Sequence, residues 1–378
     1  MSGIKIAHCA DLHIGYSGFG LTEKNFVRKA EVINSVSRLI DKCNEEKIDI
    51  LCIAGDLFDD SDVNKNDVLL VKSDFQRANF KIFISPGNHD PYHENSVYGE
   101  QWPENVFIFK NKEMSFFEFP EMNLRVWGAA FTERYEIKNI FENFSLFPSD
   151  NLINICVIHA DLSFSTESLY RPVTALDISK SGMDYIALGH IHKRSEILKS
   201  GNTSYAYSGS LEGLDFSECG EKGIYIGEIS KNNCLVKFFK MCSRMYLQVK
   251  IDITRCLSYE EIFDVILKNL KKEYGDDYAK NIFKIILIGE ISENLIIDVK
   301  RIEVKLSEIL FSCVVVDLTE IEVKFKDLEL RNDFRGMFIR KLAQKIKNSS
   351  SEQDKELYKK AIKLGLKSFE GNVSYFDN

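Results

Sequence analysis

Ile4-Lys5-Ile6-Ala7-His8-Cys9-Ala10-Asp11-Leu12-His13 opens on an apolar run of strand length and closes on a carboxylate and an imidazole. The pattern recurs. The runs Ile50–Ala54, Ile82–Ser85, Ile153–Ile158 and Tyr185–Leu188 lead directly into Gly55-Asp56, Gly87-Asn88-His89-Asp90, His159 and Gly189-His190-Ile191-His192. Between the first two runs, Phe26–Glu46 reads as a helix with Ala30, Ile33, Val36, Ile40 and Cys43 on one face. Short apolar runs alternating with longer amphipathic stretches indicate an α/β fold. Polar clusters at the carboxyl ends of strands are where open α/β sheets place their sites.

Five of the seven histidines lie in these clusters. Taken singly, each cluster reads as a strand-end cap or a turn; five in a row, each after a strand, are hard to obtain by accident. If the strand ends stay extended, residues two apart share a side, so Asp11 converges with His13 and His190 with His192. Carboxylate, imidazole and amide donors without thiolate suit manganese, iron or zinc. Gly55, Gly87 and Gly189 are expected to let the chain turn tightly beside them. His8 precedes Asp11 by three, so it points away from that face and reads as a structural histidine. His93 reads as a solvated loop residue, and Asp90 and Asp161 as turn or supporting residues. Trp127 and Phe116-Phe117-Glu118-Phe119 read as core.

The chain has 378 residues, enough for one large core and a smaller second unit. No apolar run approaches the ~20 residues of a membrane helix, and no signal peptide is expected ahead of the first strand. Nine scattered cysteines, none in a C-x-x-C pair, fit reduced thiols and a cytoplasmic location. The net charge of −8 argues mildly against a nucleic-acid partner. However, residues 243–378 carry 24 basic and 23 acidic side chains, so the acid excess lies in residues 1–242.

The clusters stop near residue 242, which marks a first domain, 1–242. Tyr246–Ile253 then reads as a strand and Ser258–Lys272 as a helix capped by Ser258, with Glu261 at the capping-box position. Ile282–Ile288, Ile297–Leu310 and Cys313–Leu318 complete a β-α-β-α-β unit without histidine, a cap or binding module over 243–330. From 331 to 378 the chain reads as a basic helical tail, with Phe334, Met337, Phe338, Leu342 and Ile346 at helical spacing and a second segment through Leu357, Ala361, Ile362 and Leu364. Residues 331–367 hold 11 Lys and Arg against 4 Asp and Glu. The tail has three readings: packing on the chain's own core, docking on a partner, or binding DNA directly.

The series D-x-H, G-D-x-x-D, G-N-H-D, H and G-H-x-H resembles the calcineurin-like metallophosphoesterase superfamily. Within it, His8-Cys9-Ala10-Asp11-Leu12-His13, Gly55-Asp56-Leu57-Phe58 and Gly189-His190-Ile191-His192-Lys193 are most similar to the SbcD/YhaO-type DNA repair exonucleases. Tyr207-Ser208-Gly209-Ser210-Leu211 and Gly220-Glu221-Lys222-Gly223 look like the same branch. The resemblance implies a four-layer α/β sandwich, two mixed sheets flanked by helices, with a small C-terminal α/β cap and a helical tail. It implies two divalent cations, usually manganese, with magnesium, iron or zinc tolerated. One would be held by Asp11, His13 and His192, the other by Asn88, His159 and His190, and Asp56 would bridge them. His89 resembles the family's catalytic histidine and Asp59 the acid that orients it, although the repair nucleases often carry histidine there. The resemblance further implies DNA as substrate, an SbcC-like coiled-coil ATPase as partner, and a homodimer. Gly55–Asp60 lacks the arginine of the protein-phosphatase pattern, which favours DNA. A phosphodiesterase acting on a small molecule is the alternative.

Overall fold

A computed structural model describes residues 3–18, 20–21, 24–59, 63–142, 144, 146, 151–163, 168–292, 295–321 and 332–369. They cluster into two compact units, Met1–Leu247 and Gln248–Asn378. The division lies five residues beyond the boundary expected at 242. Residues 243–246 are tied to the first unit: Arg244 pairs with Glu31 at 2.7 Å, and the Tyr246 carbonyl accepts from Gly220 N at 2.9 Å. The boundary expected at 330/331 lies outside the described residues.

The first unit is built on two six-stranded mixed sheets. In the first sheet, β1 (Ile4–Cys9), β2 (Ile50–Ile53), β3 (Lys81–Ile84) and β4 (Val106–Ile108) run parallel. The second takes β5 (Ser115–Phe119), β6 (Leu124–Gly128), β7 (Ile153–His159), β8 (Tyr185–Gly189), β9 (Leu198–Ser200) and β10 (Thr203–Tyr207), with β6, β7, β8 and β10 parallel. β11 (Gly223–Ser230) returns antiparallel to β1, and β12 (Asn233–Lys240) forms the edge beside it. Ile6, Ile50, Cys52 and Phe83 from one sheet interleave with Val126, Ile155, Val157 and Ala187 from the other. Strands buried on both faces read as continuous apolar runs, which is why β1, β2, β3, β7 and β8 stand out in the sequence. The outer face of the second sheet packs Cys156, Ile158, Ile186 and Leu188 with Ile178 of α3 (Ala175–Ser181). The fold is the expected α/β sandwich.

Helix α1 (Asn25–Glu46) turns inward a face rotated slightly from the one expected, with Val36, Ile40 and Cys43 common to both. Its buried residues are Arg28, Val32, Ser35, Val36, Leu39, Ile40 and Cys43, whereas Ala30 and Ile33 are only half-buried. Arg28, which an apolar periodicity passes over, is fully buried and donates to Glu212 Oε2 at 3.2 Å and to the Gly213 carbonyl at 2.9 Å. Helix α2 (Lys65–Gln76) packs beside it, capped by the Asn64 side chain on Asp67 N.

His8 is wholly buried, its Nδ1 3.0 Å from Tyr185 Oη and its Nε2 3.2 Å from the Leu188 carbonyl. Burial holds its imidazole down at about 3, against the opposing hydrogen bond to Leu188. The unfolded chain therefore binds the extra proton between its ordinary value and about pH 3, so the folded state loses stability as pH falls through that window. The contribution is about 1.4 kcal/mol per pH unit. His8→Gln should flatten the acid limb of a plot of urea stability against pH by about one proton. An unchanged slope would show that His8 already charges in the fold.

β13 (Tyr246–Asp252), which spans the division, forms a sheet with β14 (Ile282–Ile288) and β15 (Ser312–Asp317) in that order, joined through α4 (Tyr259–Tyr274) and α5 (Val299–Leu306). Ser258 caps α4 by accepting from Glu261 N, while Glu261 reaches back to Leu257 N, one residue before the box position. α5 is shorter than Ile297–Leu310. Helices α6 (Phe334–Asn348) and α7 (Glu352–Phe369) pack on each other through Ile339 and Ile362.

Candidate metal centre

The loops after β1, β2, β3 and β8 carry eight of the nine predicted site residues, His159 ends β7 itself, and the first two loops run side by side. Asp11 N donates to the Gly55 carbonyl at 3.0 Å, His13 N to that of Asp56 at 3.0 Å and Ile14 N to that of Leu57 at 2.9 Å. The strands do not continue into these loops as alternation required. Asp11, His13, Asp56 and His190 have φ of 53°, 46°, 49° and 104°. They are four of the eight described non-glycine residues in left-handed backbone, so strain is concentrated here. Left-handed turns, rather than extended strand ends, bring the side chains together.

The glycines also act differently from expectation. Of Gly55, Gly87 and Gly189, only Gly55 has a left-handed φ, at 92°. Gly87 and Gly189 are needed for room: a Cβ would stand 2.1 Å from Asp56 Oδ1 at the first and 1.7 Å from the Ala54 carbonyl at the second.

Donor atoms of Asp11, His13, Asp56 and His192 lie within 4.8 Å of one another. Asp56 Oδ2 is 3.8 Å from His13 Nε2 and 3.3 Å from His159 Nε2, and that same His159 nitrogen is 3.0 Å from Asn88 Oδ1. Asp56 thus stands between two groups of donors. His190 stands edge-on to His159, with ring centroids 5.2 Å apart, and its backbone N–H donates to Asp11 Oδ1 at 3.0 Å. His89 lies at the rim, its side chain 39% exposed and its Nδ1 4.0 Å from Asp59 Oδ1. His93 is exposed, and Asp90 is a brace whose carboxylate accepts from Gly87 N at 2.7 Å, Phe58 N at 3.0 Å and the Tyr98 hydroxyl.

Burial pushes the His13 and His190 imidazoles down to about 4, which leaves neutral rings with lone pairs to offer. His159 is opposite: burial disfavours its charge, but Asp56 beside it raises it to about 9. Burial would raise Asp56, yet His159 holds it below the ordinary carboxylate range. Asp11 is lifted to about 6 by burial, with His192 and His159 opposing. Burial would likewise raise Glu218, but its hydrogen bond from His192 brings it down to about 2.

The donor set accommodates divalent cations. Asp11 Oδ2 is buried without a hydrogen-bond partner, an acceptor left for a cation. His13 Nε2 and His192 Nε2 are 3.1 Å apart, about the spacing of two nitrogens that each lie ~2.1 Å from one ion. His159 Nδ1 lies 2.9 Å from the Ala54 carbonyl, which takes the ring proton there, so Nε2 is the nitrogen turned toward Asp56 and Asn88.

Sandwich and donor cluster together define a metal-dependent phosphoesterase. The chain belongs to the calcineurin-like phosphoesterase family, whose model matches residues 4–194, and this fold works with two divalent cations. It is similar to the uncharacterized metallophosphoesterase YhaO of Bacillus subtilis, 29% identical over 287 residues that cover 72% of this chain and 69% of the relative. It is also similar to the SbcD component of the nuclease SbcCD of Staphylococcus epidermidis, 27% identical over 266 residues, 62% of this chain and 69% of the relative. Among the described residues no helix is long and apolar enough to cross a membrane.

Sequence reasoning gave no role to Ser210, Glu218 or Lys222, which stand behind His192, or to Tyr170, whose ring centroid is 4.7 Å from that of His190. The first and third of the trio lie in motifs that carried the family likeness; nothing in sequence marked Glu218 or Tyr170.

Proposed function

We propose that this chain is a DNA nuclease, an exonuclease hydrolysing phosphodiester bonds in DNA repair with an SbcC-like ATPase. The observation that carries the hydrolytic part is Asp56 standing between the His13 and His159 donor groups. Asp11, His13 and His192 would hold one cation, Asn88, His159 and His190 the other, and Asp56 both. Bound there, divalent cations, manganese by preference, supply Lewis acidity toward a phosphoryl oxygen and toward the attacking water.

The protein's own contribution at the rim is a proton. The Asp59 carboxylate raises the His89 imidazole above its ordinary value against the effect of burial. A charged His89 can donate to the leaving oxygen or hold the phosphate, with Asp59 orienting it. His89→Ala should leave cation binding intact and lower turnover on DNA by roughly 10²–10⁴-fold. Full activity in that variant would remove His89 from the mechanism.

The nuclease reading is supported by the similarity to the SbcD component of the nuclease SbcCD. Docking of the tail on a coiled coil is supported by Phe334, Met337, Leu357 and Leu364, all exposed on a pair of packed helices. The homodimer reading is supported by Phe26 of α1 and Leu69 and Leu70 of α2, apolar side chains that stand exposed. No disulfide joins the described cysteines, in keeping with a cytoplasmic setting. The test is hydrolysis of end-labelled duplex DNA by the full chain with manganese, alone and with the ATPase. Stepwise shortening supports the exonuclease. Brisk cleavage of a small phosphodiester, with DNA untouched in both conditions, would replace it with the small-molecule reading.

A further inference from the structure

We propose that Ser210, Glu218 and Lys222 form a positioning clamp that fixes the tautomer and placement of His192, so that its Nε2 lone pair faces the cation site. The proposal rests on reading His192 as a cation ligand.

The clamp grips the ring and the backbone of one residue. Glu218 Oε1 lies 2.6 Å from His192 Nδ1, so the carboxylate takes the ring proton on that side. Its other oxygen accepts from Ser210 Oγ at 2.7 Å and pairs with Lys222 Nζ at 3.4 Å. Lys222 Nζ also donates to the His192 carbonyl at 2.6 Å, and that carbonyl accepts from Ser210 N at 3.2 Å. Ser210, Glu218 and Lys222 are all buried.

A carboxylate and an ammonium are unfavourable to bury unless their geometry does something that apolar packing cannot. Here both converge on His192. Close approach is permitted by Gly209, where a Cβ would stand 2.7 Å from the His192 carbonyl and where φ is +70°. The loop before Glu218 is anchored from α1, because Glu212 is paired with both Arg28 and Arg38. The backing also differs between the two groups of donors. His159 is oriented by a backbone carbonyl, His192 by a side-chain carboxylate.

The test uses the full metal-free chain titrated with Mn²⁺ alone, read by calorimetry and by the electron paramagnetic resonance of free Mn²⁺. Glu218→Leu should weaken one of two binding events by about 10–100-fold and leave the other unchanged. Glu218→Gln, which keeps an acceptor, should lose less; it carries the test if the leucine variant fails to fold. Nitrogen-15 spectra at mildly alkaline pH should show His192 protonated at Nδ1 in the wild type and at a mixture of nitrogens in Glu218→Leu, a readout that a merely structural residue would not move. Unaltered binding in both Glu218 variants, or a wild-type His192 protonated at Nε2, overturns the clamp. His13→Ala is run in parallel. If it too binds both ions normally, the ligand reading has failed; if it loses a site while the Glu218 variants do not, only the clamp has failed.

Discussion

Asp56→Ala should abolish hydrolysis of every phosphodiester that the wild type cleaves, and binding of paired cations should go with it. Asp56 is 1% exposed, and its two oxygens face different work. Oδ2 lies near both His13 and His159, while Oδ1 accepts from His89 N at 2.9 Å and so holds the Gly87–Asp90 loop. Alanine removes the charge that both donor groups share and leaves His159 buried without its counter-ion. Losing cation-based stabilisation of the developing charge is worth about 4 kcal/mol or more, roughly a thousandfold in rate. Asp56→Asn separates the effects, since the amide can still accept from His89 N but carries no charge. It should fold like the wild type and be nearly as inactive as the alanine variant. Calorimetry with Mn²⁺ beside a small-diester assay reads both quantities. An alanine variant that binds two ions and turns over normally would remove Asp56 from the centre.

What the sequence could and could not show follows from where each signal resides. The central strands of both sheets were legible because burial on two faces forces unbroken apolar runs, as in Ile153–His159. Edge strand β12 was not, since it alternates exposed and half-buried residues and carries Lys237 and Lys240 among its aromatics. The buried face of α1 was legible in Val36, Ile40 and Cys43 but not in Arg28, equally buried, whose partner Glu212 lies 184 positions away. At the site, residue types survived as signals but backbone did not. Nothing in Asp11-Leu12-His13 announces two left-handed residues, because that conformation is imposed by the neighbouring loop through the hydrogen bonds to Gly55 and Asp56. Glu218 carried no local mark for the same reason: its partner is 26 residues distant and the pairing exists only after folding.

Gly189→Ala tests how closely the two sheets must approach to build the centre. Gly189 ends β8, pairs with His159 across the second sheet, and accepts from Ala160 N at 3.2 Å. A methyl group there would stand 1.7 Å from the Ala54 carbonyl and 2.9 Å from the Ala10 Cβ, both in segments that follow strands of the first sheet. The Ala54 carbonyl cannot yield without consequence, because it partners His159 Nδ1 and its next residues are Gly55 and Asp56. Overpacking of this kind costs about 1–3 kcal/mol, and a disturbed buried hydrogen bond adds about 1–3. We expect a loss of about 3–5 kcal/mol, a large share of the total stability of an ordinary domain. Both tryptophans, Trp102 and Trp127, lie in the first unit, so urea unfolding followed by their fluorescence reports on it. Gly220→Ala is the comparison: its φ is +99° but no atom lies within 4 Å of the added Cβ, so only backbone strain of about 1–2 kcal/mol applies. If the Gly189 variant were no less stable than the Gly220 variant, the sheets could separate to admit a methyl group. The placement of Asp56 against His159 would then owe nothing to the tightness of the sandwich. If instead the Gly189 variant is markedly weaker and also binds Mn²⁺ less tightly, inter-sheet packing and cation geometry are one property of the fold.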